Sequence, residues 1–222
     1  MNEHVLHALS AECARTGALL DSLTSDDWPR PTRCPPLTVF ELAAHAYRGA
    51  LRIAEMIDEG ARDDEAEKSA ITYFQYDAKA EAPMIVKRAQ EVAQTLHPGT
   101  MAGIWQSGWD AALAKAAPHM HVDPVFDTVF GRMHLSEYLK TRVVEVTIHA
   151  MDMRDGLNLA PDPTEPGLTV CCEVLRGLLG ADVRPLGIDD VRFAETATGR
   201  ATLDDAEREM LGPLAGLFPV LA

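Results

Sequence analysis

The segment Arg142-Val-Val-Glu145-Val-Thr-Ile-His149-Ala-Met-Asp152 sets a carboxylate and an imidazole four residues apart. In a helix, positions i and i+4 share a face with β-carbons about 5–6 Å apart, so both side chains can reach one ion. A further imidazole, His45, stands far upstream in Glu41-Leu-Ala-Ala-His45. Two ligands from one helix and a third from another would leave a metal position open, as catalytic rather than structural zinc sites do.

At about 100° per residue, Tyr138, Arg142, His149 and Asp152 fall within about 60° of Glu145. Val146 and Met153 border this polar stripe on one side, Val144 and Ile148 on the other. Lys140, Thr147 and Arg154 fall opposite, where solvent is expected. An inward carboxylate between apolar borders is costly unless a cation or several donors satisfy it. The same spacing also suits a purely structural helix, with Arg142 paired to Glu145 and His149 a hydrogen-bonded core histidine. Asp152 either fixes the tautomer of His149 or is a surface charge near the helix end. Arg142 either clamps a substrate carboxylate or neutralises Glu145, and the second is the preferred reading.

These residues need long helices to carry them. Val5, Leu6, Leu9, Cys13 and Leu20 recur at helical spacing over residues 2–23. Arg33-Cys34-Pro35-Pro36-Leu37 reads as an extended approach, because residues before proline avoid the helical region. Thr38-Val-Phe-Glu41 is a capping box and starts a helix running to about Glu59. Further helices are expected over about 80–96 and 103–117, while 118–130 reads as loop with some helix. The strongest helical signal runs from His134 to about Asp155, stopped by Gly156. Beyond it, Pro161–Gly167 reads as a linker, Leu168–Gly180 as helix, Val191–Ala197 as a strand, Thr198-Gly199 as a turn and Leu203–Leu211 as a last helix. The expected architecture is mainly α: a helical bundle over 1–156 and a small α/β C-terminal region over 157–222.

The 222 residues are 47% hydrophobic, enough for a sizeable core. With 20 Lys plus Arg against 34 Asp plus Glu, the formal charge is −14, which argues against nucleic acid as a partner. No signal peptide is visible, and no apolar run nears the roughly 20 residues that span a bilayer. Cys13, Cys34, Cys171 and Cys172 form no C-x-x-C pair, as expected of a reduced cytoplasmic protein. The sequence leaves a homodimer open.

Other candidates carry less. His119 and His121 lie between Pro118 and Pro124 and read as exposed loop histidines. His4 and His7 read as solvated, and His134 as the start of the long helix. Trp105 and Trp109 read as core. Cys34 can approach the site but has no activating neighbour in sequence, so it reads as a structural thiol. Gly49, one turn beyond His45, would leave room for a ligand or for close helix packing. Arg200, in Thr198-Gly199-Arg200, is placed to reach across from the C-terminal region to a substrate carboxylate.

Trp28-Pro-x-Pro-Thr-x-Cys34-Pro-Pro-Leu-Thr38-Val-Phe-Glu-Leu-x-x-His45, followed by Arg142-x-x-Glu145-x-x-x-His149-x-x-Asp152, resembles the DinB/YfiT-like metal-binding four-helix bundle proteins. More narrowly it resembles the mycothiol-dependent maleylpyruvate isomerase group, as does the ending Ala197-Thr-Gly199-Arg-Ala-Thr-Leu203. The chain departs from that group at Pro36-Leu37, where Gly-Trp is frequent, and in its short C-terminal part. The resemblance implies that His45, Glu145 and His149 hold a divalent metal, zinc in the first instance. It also implies mycothiol as thiol cosubstrate for isomerisation or S-transfer on a small electrophile. Two rivals fit the same ligands: a hydrolase with water at the open position, and a non-catalytic metal-binding protein.

Overall fold

The computed structural model describes residues 2–76 and 78–221. Four helices form a closed ring: α1 (Glu3–Asp21), α2 (Val39–Glu59), α5 (Met101–Ala116) and α6 (Leu135–Gly156). Each packs on two others, α1 on α5 and α6, and α2 on the same pair. The short α3 (Ala70–Tyr73) lies against α6, and α4 (Ala78–Gln94) against α2. The mainly α expectation holds, and no described helix is long and apolar enough to cross a membrane.

The core follows from side-chain size and spacing. Trp105 and Trp109, one turn apart on α5, are both buried, and Trp105 donates its indole N–H to the Cys13 carbonyl at 2.8 Å. Gly49 lets α2 close on this layer: a β-carbon there would stand 3.3 Å from the Trp109 ring and 3.4 Å from Arg142 Cδ. Packing, rather than a ligand, therefore fills the space beside Gly49.

The C-terminal region is laid over the bundle. Its helices are α7 (Glu165–Leu179), α8 (Asp190–Ala197) and α9 (Asp205–Leu211). α7 packs on both α1 and α6. Its N-cap Thr164 donates N–H and Oγ1–H to buried Glu12 of α1, both at 2.5 Å. Gly167 faces the same carboxylate so closely that a β-carbon would overlap it. This cover corrects one expectation. Thr147 does not face solvent but is fully buried, because α6 is wrapped by α1, α2 and α7.

Two local expectations also change. Val191–Ala197 is helix, not strand: Asp189 caps it by accepting from the Val191 and Arg192 N–H groups, and a buried Phe193 faces α7. The one two-stranded sheet among the described residues lies earlier, where β1 (Val125–Thr128) runs antiparallel to β2 (Gly131–His134) just ahead of α6. The 33–37 segment is a tight turn rather than extended, with Leu37 N–H closing on the Cys34 carbonyl at 2.9 Å and Pro31 bridging to Thr38. The two prolines at its centre lack N–H donors and suit a turn better than a ladder.

Candidate metal centre

The capping box at Thr38 is formed. Thr38 Oγ1 accepts from Glu41 N–H at 3.3 Å, and Glu41 accepts from Thr38 N–H at 2.9 Å. It fixes the start of α2 and so the facing of His45 two turns on. α6 crosses beside it and presents Glu145, His149 and Asp152 on one face.

Glu145 Oε2 sits midway between two imidazoles, 3.4 Å from His45 Nε2 and 3.4 Å from His149 Nε2. The three donor atoms lie within 4.8 Å of one another, and the histidine rings meet edge to face with centroids 5.1 Å apart. Burial alone would raise the Glu145 carboxyl. Hydrogen bonds from His149 and His45 and the Arg142 charge hold it well below its ordinary value. His45 is pushed down by burial, against the pull of Glu145. Burial also acts to lower His149, but Asp152, Cys34 and Glu145 hold it well above the ordinary histidine value.

The donor chemistry fits a divalent ion. An ionised carboxylate and two convergent Nε2 atoms are the N/O set that suits zinc and several neighbours. The two imidazoles are the only described side chains within hydrogen-bond or ion-pair reach of that carboxylate, and both can hold a proton where a metal would stand.

Behind His149 lies a second layer. Asp152, fully buried, accepts from His149 Nδ1 at 3.2 Å, from Cys34 Sγ at 3.1 Å and from Arg200 Nε and Nη2 at 3.1 and 2.9 Å. A proton on Nδ1 leaves the Nε2 lone pair facing Glu145, as a metal-ligating histidine requires. Burial tends to raise the Asp152 carboxyl, yet His149 and Arg200 hold it far below its usual value.

Cys34, His149 and Asp152 are themselves close enough to form a second potential ligand group. Electrostatics favours the first. Arg200 lies 2.9 Å from Asp152 and 3.6 Å from Cys34 Sγ, and Arg33 lies 3.4 Å from Asp152, so two guanidiniums already occupy the place of a cation.

Glu145, His45 and His149 line a cavity of about 480 Å³. Its wall is shared between the bundle and the C-terminal region. Leu42, Val144 and Ile148 come from the bundle, Phe74, Tyr76, Ile85 and Val86 from the segment around α4, and Thr198, Gly199, Arg200 and Leu221 from the C-terminal part. The last reach the site because Val220 and Leu221 N–H groups both bond to the Ala197 carbonyl, folding the chain end back on α8.

The sequence candidates divide accordingly. His45, Glu145, His149 and Asp152 come together. Arg200 does reach across from the C-terminal region, but its fork grips Asp152 rather than facing an open carboxylate position. Arg142 is not among the residues lining the cavity, and no ion pair joins it to Glu145 among the described residues. Its guanidinium lies 5.0 Å from the Tyr138 ring centroid and 5.6 Å from that of Tyr73. His119 stacks edgewise on Phe126 and, like His121, joins no ligand group among the described residues. His134 precedes α6, with Nδ1 2.7 Å from the Asp123 carbonyl.

Two neighbours of Asp152 go beyond the sequence reading. Cys34, read as structural, lines the cavity and touches Asp152. Arg33 was not singled out, although it joins Asp152, Asp155 and Glu195. The sequence signal for both is their place just ahead of the capping box, and for Cys34 also its position in the motif that carries the resemblance.

No curated protein and no solved structure matches the chain. Residues 9–154, spanning the bundle from α1 to the end of α6, match a family described as the mycothiol maleylpyruvate isomerase N-terminal domain. With His45, Glu145 and His149 all inside the matched stretch, the chain belongs to the mycothiol maleylpyruvate isomerase N-terminal domain family.

Proposed function

We propose that the protein is a cytoplasmic metal-dependent enzyme that uses a low-molecular-weight thiol, mycothiol in the first instance, for isomerisation or S-transfer on a small electrophile. One observation carries the reading: among the described residues three convergent ligand atoms, and not four, line a cavity shared by the bundle and the C-terminal region. Residues 1–156 would then supply the metal-binding bundle, and 157–222 the part that completes the substrate wall. The four free cysteines suit a reducing compartment.

His45, Glu145 and His149 would hold the ion. A divalent metal such as zinc would supply Lewis acidity that favours the thiolate form of a thiol at neutral pH. The remaining work falls to this chain's own side chains. Asp152 keeps the proton of His149 on Nδ1 and so keeps Nε2 available. Arg200 and Arg33 hold Asp152 ionised and in place. The apolar wall of Phe74, Ile85 and Val86 excludes water from the side where the electrophile lies. For S-transfer, a C–S bond forms and the leaving group departs with its electron pair. For isomerisation, the thiol sulfur adds to one alkene carbon, the single bond rotates, and the C–S bond breaks to return the double bond and the thiol. Arg142, held over the rings of Tyr73 and Tyr138, supports the charge of Glu145 electrostatically.

The hydrolase alternative needs a general base beside the open metal position. Asp152, one turn beyond His149, has its carboxylate bound by Arg200, Arg33, Cys34 and His149, which leaves it a poor proton acceptor. The thiol reading is tested by zinc-edge X-ray absorption of the zinc-loaded protein with mycothiol, glutathione and a simple alkyl thiol. A sulfur neighbour appearing with at least one thiol is expected. An unchanged N/O coordination shell with all of them refutes the thiol reading.

A further inference from the structure

We propose that Cys34 is a positioning residue of the candidate metal centre: its thiol ties the turn leading into α2 to Asp152 of α6, and so holds His45 and His149 toward one ion. The inference rests on His45, Glu145 and His149 being the ligands. Of the four cysteines, Cys13, Cys171 and Cys172 are buried, whereas Cys34 is partly exposed and lines the cavity.

The turn gives Cys34 a fixed place. Its N–H donates to Thr32 Oγ1 at 3.2 Å, and Thr32 Oγ1 in turn donates to the Leu37 carbonyl at 2.8 Å. Leu37 N–H closes back on the Cys34 carbonyl at 2.9 Å, directly before the Thr38 cap. Cys34 is therefore anchored to the start of α2, the helix that carries His45.

A thiol offers one proton and weakly accepting lone pairs, and this one uses both. Sγ–H donates to Asp152 Oδ2 at 3.1 Å, and Sγ accepts from Arg200 Nη2 at 3.6 Å. His149 Nδ1 meets the same Oδ2 at 3.2 Å and stands 3.9 Å from Sγ. The oxygen that orients the imidazole is thus held from the α2 side by Cys34 and from the C-terminal region by Arg200. Arg33, next to Cys34 in the same turn, does not replace this link. Its Nε lies 3.4 Å from Asp152 Oδ1 but forms no hydrogen bond. Among the described residues, Cys34 makes the one hydrogen bond from the turn to Asp152. With the thiol proton committed to Asp152, a proton on His149 Nδ1 has both Oδ2 and Sγ to point at. A bare Nδ1 would meet only their lone pairs, so the thiol also favours the tautomer that frees Nε2.

The test is zinc affinity of the full-length, metal-free protein by chelator competition, with the urea midpoint of each variant measured alongside. Cys34→Ala removes the donor. Cys34→Val removes it but fills the space of the sulfur, and Cys34→Ser restores a hydroxyl that both donates and accepts. We expect the Ala and Val variants each to weaken zinc about tenfold, and the Ser variant to stay within about threefold of the parent. A thiol that merely packs would give the reverse order, with Val close to the parent and Ser the poorest. That contrast keeps the test decisive should Cys34→Ala fold poorly. Zinc affinity of the Ala or Val variant within about twofold of the parent, or a Ser variant weakened as much as Ala, overturns the proposal. A parent protein that takes up no zinc overturns the metal site beneath it as well. A parent that binds zinc while Cys34→Ala binds equally well overturns the role of Cys34 alone.

Discussion

Replacing Asp152 by Asn separates what holds the fold from what orients the metal ligand. The carboxylate is fully buried and receives Arg200 twice, Cys34 once and His149 Nδ1 at 3.2 Å, with Arg33 at 3.4 Å. Asn keeps the shape and one acceptor oxygen but removes the charge between two guanidiniums. Breaking a buried ion pair from one side costs about 3–5 kcal/mol, and the retained oxygen places this change near 3 kcal/mol. The amide can also present N–H to Nδ1, which favours the tautomer with Nε2 protonated and turned away from metal duty. Loss of such an orienting partner weakens metal affinity about 10–100-fold, or roughly 1.4–2.7 kcal/mol. Urea unfolding measures the first quantity and chelator competition for zinc the second. Asp162→Asn is the matched control: its carboxylate, which pairs with Arg15 and Arg154, is 41% accessible, so little stability and no zinc affinity should be lost. Zinc affinity within a factor of about two of the parent in Asp152→Asn, despite the stability loss, would refute its orienting role.

The other perturbations are simpler. Burial raises the Glu12 carboxyl above its ordinary 4.5 even though the Thr164 bonds pull it down. Folding therefore favours its protonated form, and this contribution is complete below pH 4.5 and fades as pH rises through the folded value. Glu12→Gln should flatten that part of the pH–stability curve, read from denaturant midpoints, and an unchanged slope contradicts the assignment. Zinc binding requires neutral His149, whose proton is held unusually tightly. Binding should therefore release about one proton, with affinity falling about tenfold per pH unit below the His149 value; calorimetry in two buffers of different ionisation enthalpy measures the release. Gly49→Val should cost about 1–3 kcal/mol by crowding Trp109 and Arg142, with a neutral effect on thermal midpoint counting against the close approach.

Where local rules were strong, the sequence was enough. Thr38 and Glu41 cap α2 reciprocally, Gly180 ends α7 in the left-handed region, and the long helix over Leu135–Gly156 runs as its periodicity indicates. The grouping of His45 with Glu145 and His149 was also legible, from an i, i+4 pair and a resemblance. What the sequence hid was long-range cover. Thr147 looked solvent-facing because no local pattern reveals that α7 folds back over α6. Val191–Ala197 read as strand, while the decision lay with the Asp189 cap and the packing of α8, with Phe193 buried, on α7. The pairings of Arg33 and Cys34 with Asp152 span more than a hundred positions, so spacing could not suggest them. Arg200 reached the right region, but which carboxylate it grips is a property of tertiary geometry.

The central claim is that His45, Glu145 and His149 together hold one divalent ion. Zinc stoichiometry by elemental analysis, on the purified protein and on His45→Ala, Glu145→Ala and His149→Ala after identical zinc loading and desalting, tests it most directly. One equivalent in the parent and loss of that equivalent in each folded variant is the predicted result. Stoichiometric zinc surviving all three substitutions would contradict it.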